Sequence, residues 1–233
     1  MERRDFVKLC AASAAATSLP TAADAATLKA RLYHRALLVD ERAAPVRAGA
    51  LRAGVNYVFE YPFAATPCFL LRLAKPPAGG IDLRAEGGGT YRWEGGVGAD
   101  RSIVAYSAIC AHKMTYPTRQ VSFIGYRDAP SPVAGAGKVI TCCSDRSVYD
   151  PAAGARVVAG PAPQPLATIL LEHDKGRDEL HAVGTFGGEM FAQFFQKFGF
   201  RLQLEMGDRA QAAAQERCVV RELANYSAQW AQC

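Results

Sequence analysis

The chain has 233 residues, half of them hydrophobic, and carries 27 Lys and Arg against 22 Asp and Glu, a formal net charge of +5. That is enough length and apolar content for one domain with a sizeable core. The charge is mild, and no Lys/Arg run or basic stripe interleaved with aromatics occurs, which argues against nucleic acid and permits an acidic protein partner without requiring one.

The first segment carries Arg3 and Arg4, then Phe6, Val7 and Lys8, and an Ala/Ser-rich stretch to Leu19 and Pro20. It resembles a twin-arginine export signal. Its apolar part, Leu9 to Leu19, is short of the roughly 20 apolar residues a membrane span needs. Ala23, Asp24 and Ala25 have the small-x-small form of a cleavage site, so residues 1–25 read as a signal and the mature chain starts near Ala26. An uncleaved anchor and an ordinary N-terminal helix are the alternatives. No other stretch is long and apolar enough to cross a membrane, so the periplasm is the expected location.

From Arg35 to Ala74 the sequence offers β-type runs at Ala36–Val39, Tyr57–Tyr61 and Cys68–Leu73, punctuated by Gly and Pro. Gly-rich turns bracket Thr90–Trp93, and Ser102–Tyr106 predicts a strand leading into a first box, Cys110, Ala111 and His112. Val139–Thr141 predicts a strand leading into a second box, which runs from Cys142 through Cys143, Ser144 and Asp145 to Asp150. Each box therefore lies in a loop held up by sheet. A hairpin over Pro151–Val158, a proline loop over Gly160–Pro163 and strands at Leu166–Glu172 and Glu179–Gly184 follow. Beyond them Phe191, Phe194, Phe195 and Phe198 recur at three and four residues, which predicts a short helix packed on the sheet. Asp208–Arg217 is Ala/Gln-rich and is also expected to be helical.

The two boxes together resemble the Rieske-type iron-sulfur proteins, which supply one cysteine and one histidine as C-x-H and a second pair as C-x-x-H. The resemblance is strongest over about 102–184. It implies an all-β, mainly antiparallel sandwich or barrel over 26–184, with 185–233 as a helical and strand extension packing on it. It also implies a 2Fe-2S cluster with two thiolates on one iron and two imidazoles on the other. Carried over residue by residue, Cys110 and Cys142 are the thiolate ligands and His112 an imidazole ligand. Asp145 takes the place of the second histidine. Ser147 and Tyr149 match the family's hydroxyl donors to a bridging sulfide and a cysteine sulfur. High-potential members tie the two loops with a disulfide, and those positions here hold Thr115 and Ser144.

An aspartate ligand makes the centre one unit more negative than an imidazole would. A unit charge about 4 Å away at an effective dielectric of 20 is worth roughly 4 kcal/mol, an upper bound near 170 mV for one electron. The expected potential is therefore low, and proton coupling weaker than with a second imidazole.

Cys143 as fourth ligand, an approach by His173 or His181, a single zinc-like ion and a metal-free fold are the alternatives at the site. The long separation between His112 and Cys142 reads as an insertion, by default a solvated excursion. In an oxidising compartment Cys218 and Cys233 are expected to pair, two unpaired thiols being the alternative. No nucleotide loop, second metal motif or nucleophile elbow occurs. The expected function is an exported one-electron carrier, a subunit of an oxidoreductase with a molybdenum-enzyme large subunit or a cytochrome as partner. A cluster-free binding or assembly subunit is the alternative.

Overall fold

The computed structural model describes residues 26–233, so the expected export signal over 1–25 lies outside the described residues. The chain enters through β1 (Arg31–Val39), which buries Ala36, Leu38 and Val39. β2 (Tyr57–Glu60) and β3 (Pro67–Arg72) form an antiparallel pair with Val58 opposite Phe69. β3 is buried from Pro67 to Leu71, an unbroken apolar run of the kind a strand covered on both faces carries. The hairpin of β4 (Ile81–Arg84) and β5 (Thr90–Trp93) alternates instead, turning Leu83, Tyr91 and Trp93 inward and Asp82, Arg84 and Arg92 outward. β6 (Ile103–Ser107) lies along β3 with Leu70 opposite Ala105, and delivers the chain to the first box.

Next come β7 (Val121–Ser122), β8 (Ile124–Arg127), β9 (Val139–Cys142), β10 (Ser147–Asp150) and β11 (Arg156–Ala159). β8 to β11 make a four-stranded antiparallel sheet in the order β11-β10-β9-β8. The stretch between the boxes is thus more than a solvated excursion: Ile124 to Arg127 are buried and pair with β9, β7 pairs with a strand near the C-terminal end, and the loop over 128–138 joins β8 to β9.

β12 (Thr168–Asp174) and β13 (Glu179–Phe186) return the chain to the larger sheet, and α1 (Met190–Met206) follows. β14 (Arg217–Val219) joins β1 in parallel, β15 (Arg221–Glu222) joins β2, and α2 (Leu223–Tyr226) leads to β16 (Gln229–Trp230). The larger sheet has eight strands, ordered β14-β1-β13-β12-β6-β3-β2-β15. The fold is mainly β and antiparallel, with one substantial helix near its C-terminal end. Among the described residues no helix is long and apolar enough to cross a membrane.

The phenylalanine spacing does mark a helix, although α1 runs on to Met206. The helix expected over Asp208–Arg217 does not form. Gly207 takes a positive φ of 59° and ends α1, and a short 3-10 turn covers Gly207–Gln211. The chain then extends because the loop around Phe63 takes up its backbone groups: Ala64 N–H donates to Ala212 O, Ala65 N–H to Ala210 O and Ala214 N–H to Pro62 O. Tertiary hydrogen bonds override a good local helix propensity here.

α1 places Phe194, fully buried, edge-on to Tyr116 at 5.0 Å, with Phe195 and Phe198 alongside. Tyr116 belongs to the segment leaving the first box, so this aromatic cluster seats the helix against it. Phe194→Ala should cost about 3–5 kcal/mol of stability, the usual range for an aromatic removed from a packed core, read by chemical denaturation.

Candidate metal centre

The two boxes occupy turns at the ends of interior strands of different sheets, β6 in the larger and β9 and β10 in the smaller. At the end of β6, Ser107 N–H donates to Ala167 O and Ala108 N–H, just beyond, to Pro67 O, both at 2.8 Å, so the strand is held on both edges almost to Cys110. The first turn then closes on itself, with Cys110 N–H donating to Thr115 O at 2.8 Å and Met114 N–H to Cys110 O at 2.9 Å. The second turn caps the β9–β10 hairpin, where Ser147 stands opposite Cys142 and Arg146 N–H donates to Cys142 O at 2.8 Å. Arg146 sits at φ 62°, a left-handed conformation that glycine would adopt without penalty. Asp145 Oδ1 accepts from Ser147 N–H at 3.0 Å, an Asx turn that folds its carboxylate inward.

The turns face each other. Sγ of Cys110, Sγ of Cys142 and a carboxylate oxygen of Asp145 all lie within 4.8 Å of one another. Asp145 Oδ2 accepts from the Cys110 thiol and from His112 Nδ1, each at 3.2 Å. Asp145 is nearly sealed, its side chain 2 % exposed, whereas that of His112 is 34 % exposed. All four predicted ligand residues are therefore brought together, three directly and His112 through its contact with Asp145.

Burial and mutual hydrogen bonding set the ionisation of these groups. The hydrogen bond from Cys142 lowers the pKa of the Cys110 thiol, outweighing the effect of burial, and Tyr149 adds to the lowering. Cys142 is pushed up, first as the donor in that pair and then by burial. Burial works against the Asp145 carboxylate but is outweighed by the Ser147 N–H and the Cys110 thiol, so its pKa lies below the ordinary value. Two sulfurs, one of them lowered in pKa, thus stand beside a carboxylate oxygen, a donor set suited to a metal.

Two hydroxyls complete the surroundings. Tyr149, fully buried, places its OH 3.2 Å from Cys110 Sγ while accepting from Ala111 N–H at 3.1 Å. Burial first, then the Cys110 sulfur, raises its pKa well above the usual value, keeping it a protonated donor. Ser147 Oγ is buried without a well-aligned hydrogen bond, the Asp145 carboxylate being the acceptor near it. A buried hydroxyl so poorly satisfied is costly, and this one, opposite Cys142 across the hairpin, would be satisfied by an acceptor on a bound metal group.

Cys143, an alternative fourth ligand, is bonded instead to Cys233, with an S–S distance of 2.11 Å. The expected Cys218–Cys233 pair is therefore corrected. Cys218 is a free thiol in β14, beside Leu38 of β1 in the larger sheet, buried with its pKa pushed up to about 12, while β16 carries the chain end past β7 to the second turn. Cysteine spacing says nothing about which thiols converge. His173 binds Asp178 at 2.8 Å and His181 is buried within β13, so neither belongs to the turns. Thr115 and Ser144 line one shallow cavity between the turns together with Phe123 and Phe198.

No protein-family model matches the chain. Among solved structures, the soluble domain of the Rieske protein II (soxF) from Sulfolobus acidocaldarius is similar at 25% identity over 66% of this chain and 78% of that chain, with a TM-score of 0.44. At that TM-score the likeness is partial, and the site rests on its own residues.

The two hydroxyls should differ in the metal-free protein. Tyr149→Phe strands the Ala111 N–H and is expected to cost about 1–3 kcal/mol, whereas Ser147→Ala removes a hydroxyl without a well-aligned hydrogen bond and should cost under about 1 kcal/mol. Denaturation of both variants after chelation measures the contrast.

Proposed function

We propose that this chain is a one-electron carrier that holds a Rieske-type 2Fe-2S cluster through Cys110, Cys142, His112 and Asp145. The observation that carries the reading is the buried Tyr149 OH set on Cys110 Sγ, with the buried Ser147 hydroxyl opposite Cys142 across the hairpin. A donor aimed at sulfur is what a thiolate-rich group gaining negative charge requires. When bound, the cluster supplies reversible uptake of one electron.

The protein's own residues set how that happens. Cys110 and Cys142 would hold the buried iron, and His112 and Asp145 the outer one. Tyr149, with its hydroxyl on Cys110 Sγ, would favour the reduced form, and the Ser147 hydroxyl beside Cys142 would be free to do the same. Asp145 would oppose them with its charge. His112, a third exposed, gives the centre its edge toward a partner. The twin arginines and the small-residue site before Ala26 support export to the periplasm, where a molybdenum-containing large subunit or a cytochrome is the fitting class of partner.

One observation favours a second reading, a single ion. The cysteine sulfurs and the Asp145 oxygen are gathered within 4.8 Å, and a tetrahedral ion bonded to sulfur at about 2.3 Å holds its ligands roughly 3.7 Å apart.

Metal and acid-labile sulfide analysis of anaerobically purified protein separates the two. Equal iron and sulfide with a rhombic electron paramagnetic resonance signal after reduction is the expected result; one zinc without sulfide assigns the single ion, and a metal-free, colourless protein ends both readings. Asp145→His is expected to raise the midpoint potential by up to about 170 mV and to introduce pH dependence near neutrality. An unchanged potential removes Asp145 from the ligand set.

A further inference from the structure

Nothing covalent joins the two turns at Thr115 and Ser144. We infer that the segment from Ser227 to Cys233 is a strap that positions the second ligand turn, with Trp230 and Cys233 as positioning residues for Cys142 and Asp145. The strap is laced along the segment between the boxes. Ser227 Oγ donates to Thr118 O at 2.6 Å, Ala228 N–H to Arg119 O at 2.9 Å, Gln229 N–H to Gln120 O at 3.1 Å and Ala231 N–H to Ser122 O at 2.9 Å. β16 thereby runs parallel to β7.

β8 supplies the next fastening. The Arg127 guanidinium lies 4.9 Å from the centroid of the Trp230 ring and donates to Ala231 O and Gln232 Oε1, both at 2.6 Å. Gly125 gives the indole its seat, since a Cβ there would come within 2.8 Å of Trp230 Nε1 and 2.9 Å of Cε2. Arg127 and Gly125 belong to the strand that pairs with β9, where Ile124 stands opposite Cys142.

The strap ends in the Cys143–Cys233 bond, one residue from Cys142. Cys142 is the last, buried residue of β9 and Cys143 the first, partly exposed residue of the turn, so the disulfide fastens the turn at the point where Cys142 enters it. Cys143 N–H, donating to Phe123 O at 2.7 Å, ties that stretch to β8 as well. The other bonds of the turn, Arg146 N–H to Cys142 O and Ser147 N–H to Asp145 Oδ1, are internal to it, and Arg146 occupies a left-handed conformation within it. Without its outer anchor the turn should open locally while both sheets stay closed.

Non-reducing peptide mapping should recover Cys143 linked to Cys233; a free Cys143, or Cys233 linked to Cys218, overturns the inference. Hydrogen exchange then compares wild type with Cys233→Ser in the metal-free full chain. The amides of Cys143, Arg146 and Ser147 are expected to exchange at least about tenfold faster in the variant, with those of β1 and β13 unchanged. Trp230→Ala, which keeps the disulfide, should accelerate the same amides to a smaller extent. Unchanged turn amides, or uniform acceleration throughout both sheets, overturns the positioning role. If Cys233→Ser does not fold, wild type treated with dithiothreitol supplies the comparison: the disulfide takes up two electrons and two protons, and the dithiol closes to its own disulfide.

The consequence for metal retention rests on the diiron reading. Cys233→Ser should lose iron to a chelator about tenfold faster and shift the resonance g values. Iron-free wild type with a protected turn would sink the diiron reading and leave the strap standing, whereas iron-containing protein with an unprotected turn would do the reverse.

Discussion

Ser147 stands opposite Cys142 across the β9–β10 hairpin, and the chemistry of the second turn depends on that register. It sets a thiol and a hydroxyl as neighbours on one face, and Tyr149, two residues on, returns to the same face to meet Cys110. A slip of one residue would send all of them to the other side of the sheet. The Asx turn at Asp145 fixes the register locally by spending one carboxylate oxygen on the Ser147 N–H. The other oxygen is left for Cys110 and His112.

The first turn has a different kind of support. It is carried by β6 in the larger sheet and backed through Tyr116 by the aromatic face of α1, whereas the second is carried by the smaller sheet and by the strap. The centre thus lies where two separately built supports meet. Each contributes one cysteine and one further donor, so neither turn alone could hold a metal with more than two ligands.

Much of this was legible in the sequence because it is local. The boxes, the strands that lead into them and the hydroxyls at Ser147 and Tyr149 depend on spacing, and the strands at Ala36–Val39, Cys68–Leu73 and Glu179–Gly184 depend on apolar runs. What escaped was decided by distant partners. Asp208–Arg217 has helical composition, yet the backbone around Pro62 to Ala65 draws it out. Cys143 and Cys233 are separated by 90 residues, and β16, which brings them together, is only two residues long. Ile124–Arg127 reads as part of a loop until β9 is beside it.

The near-complete enclosure of Asp145 bears on how the medium acts on this centre. Dissolved ions screen charges that face water, over a distance of about 10 Å at 0.1 M, and act far less on a carboxylate shut away from it. The carboxylate's contribution at the site should therefore vary less with ionic strength than that of the exposed charges. The exposed cations on its surface have only the strength that the surrounding electrolyte leaves them.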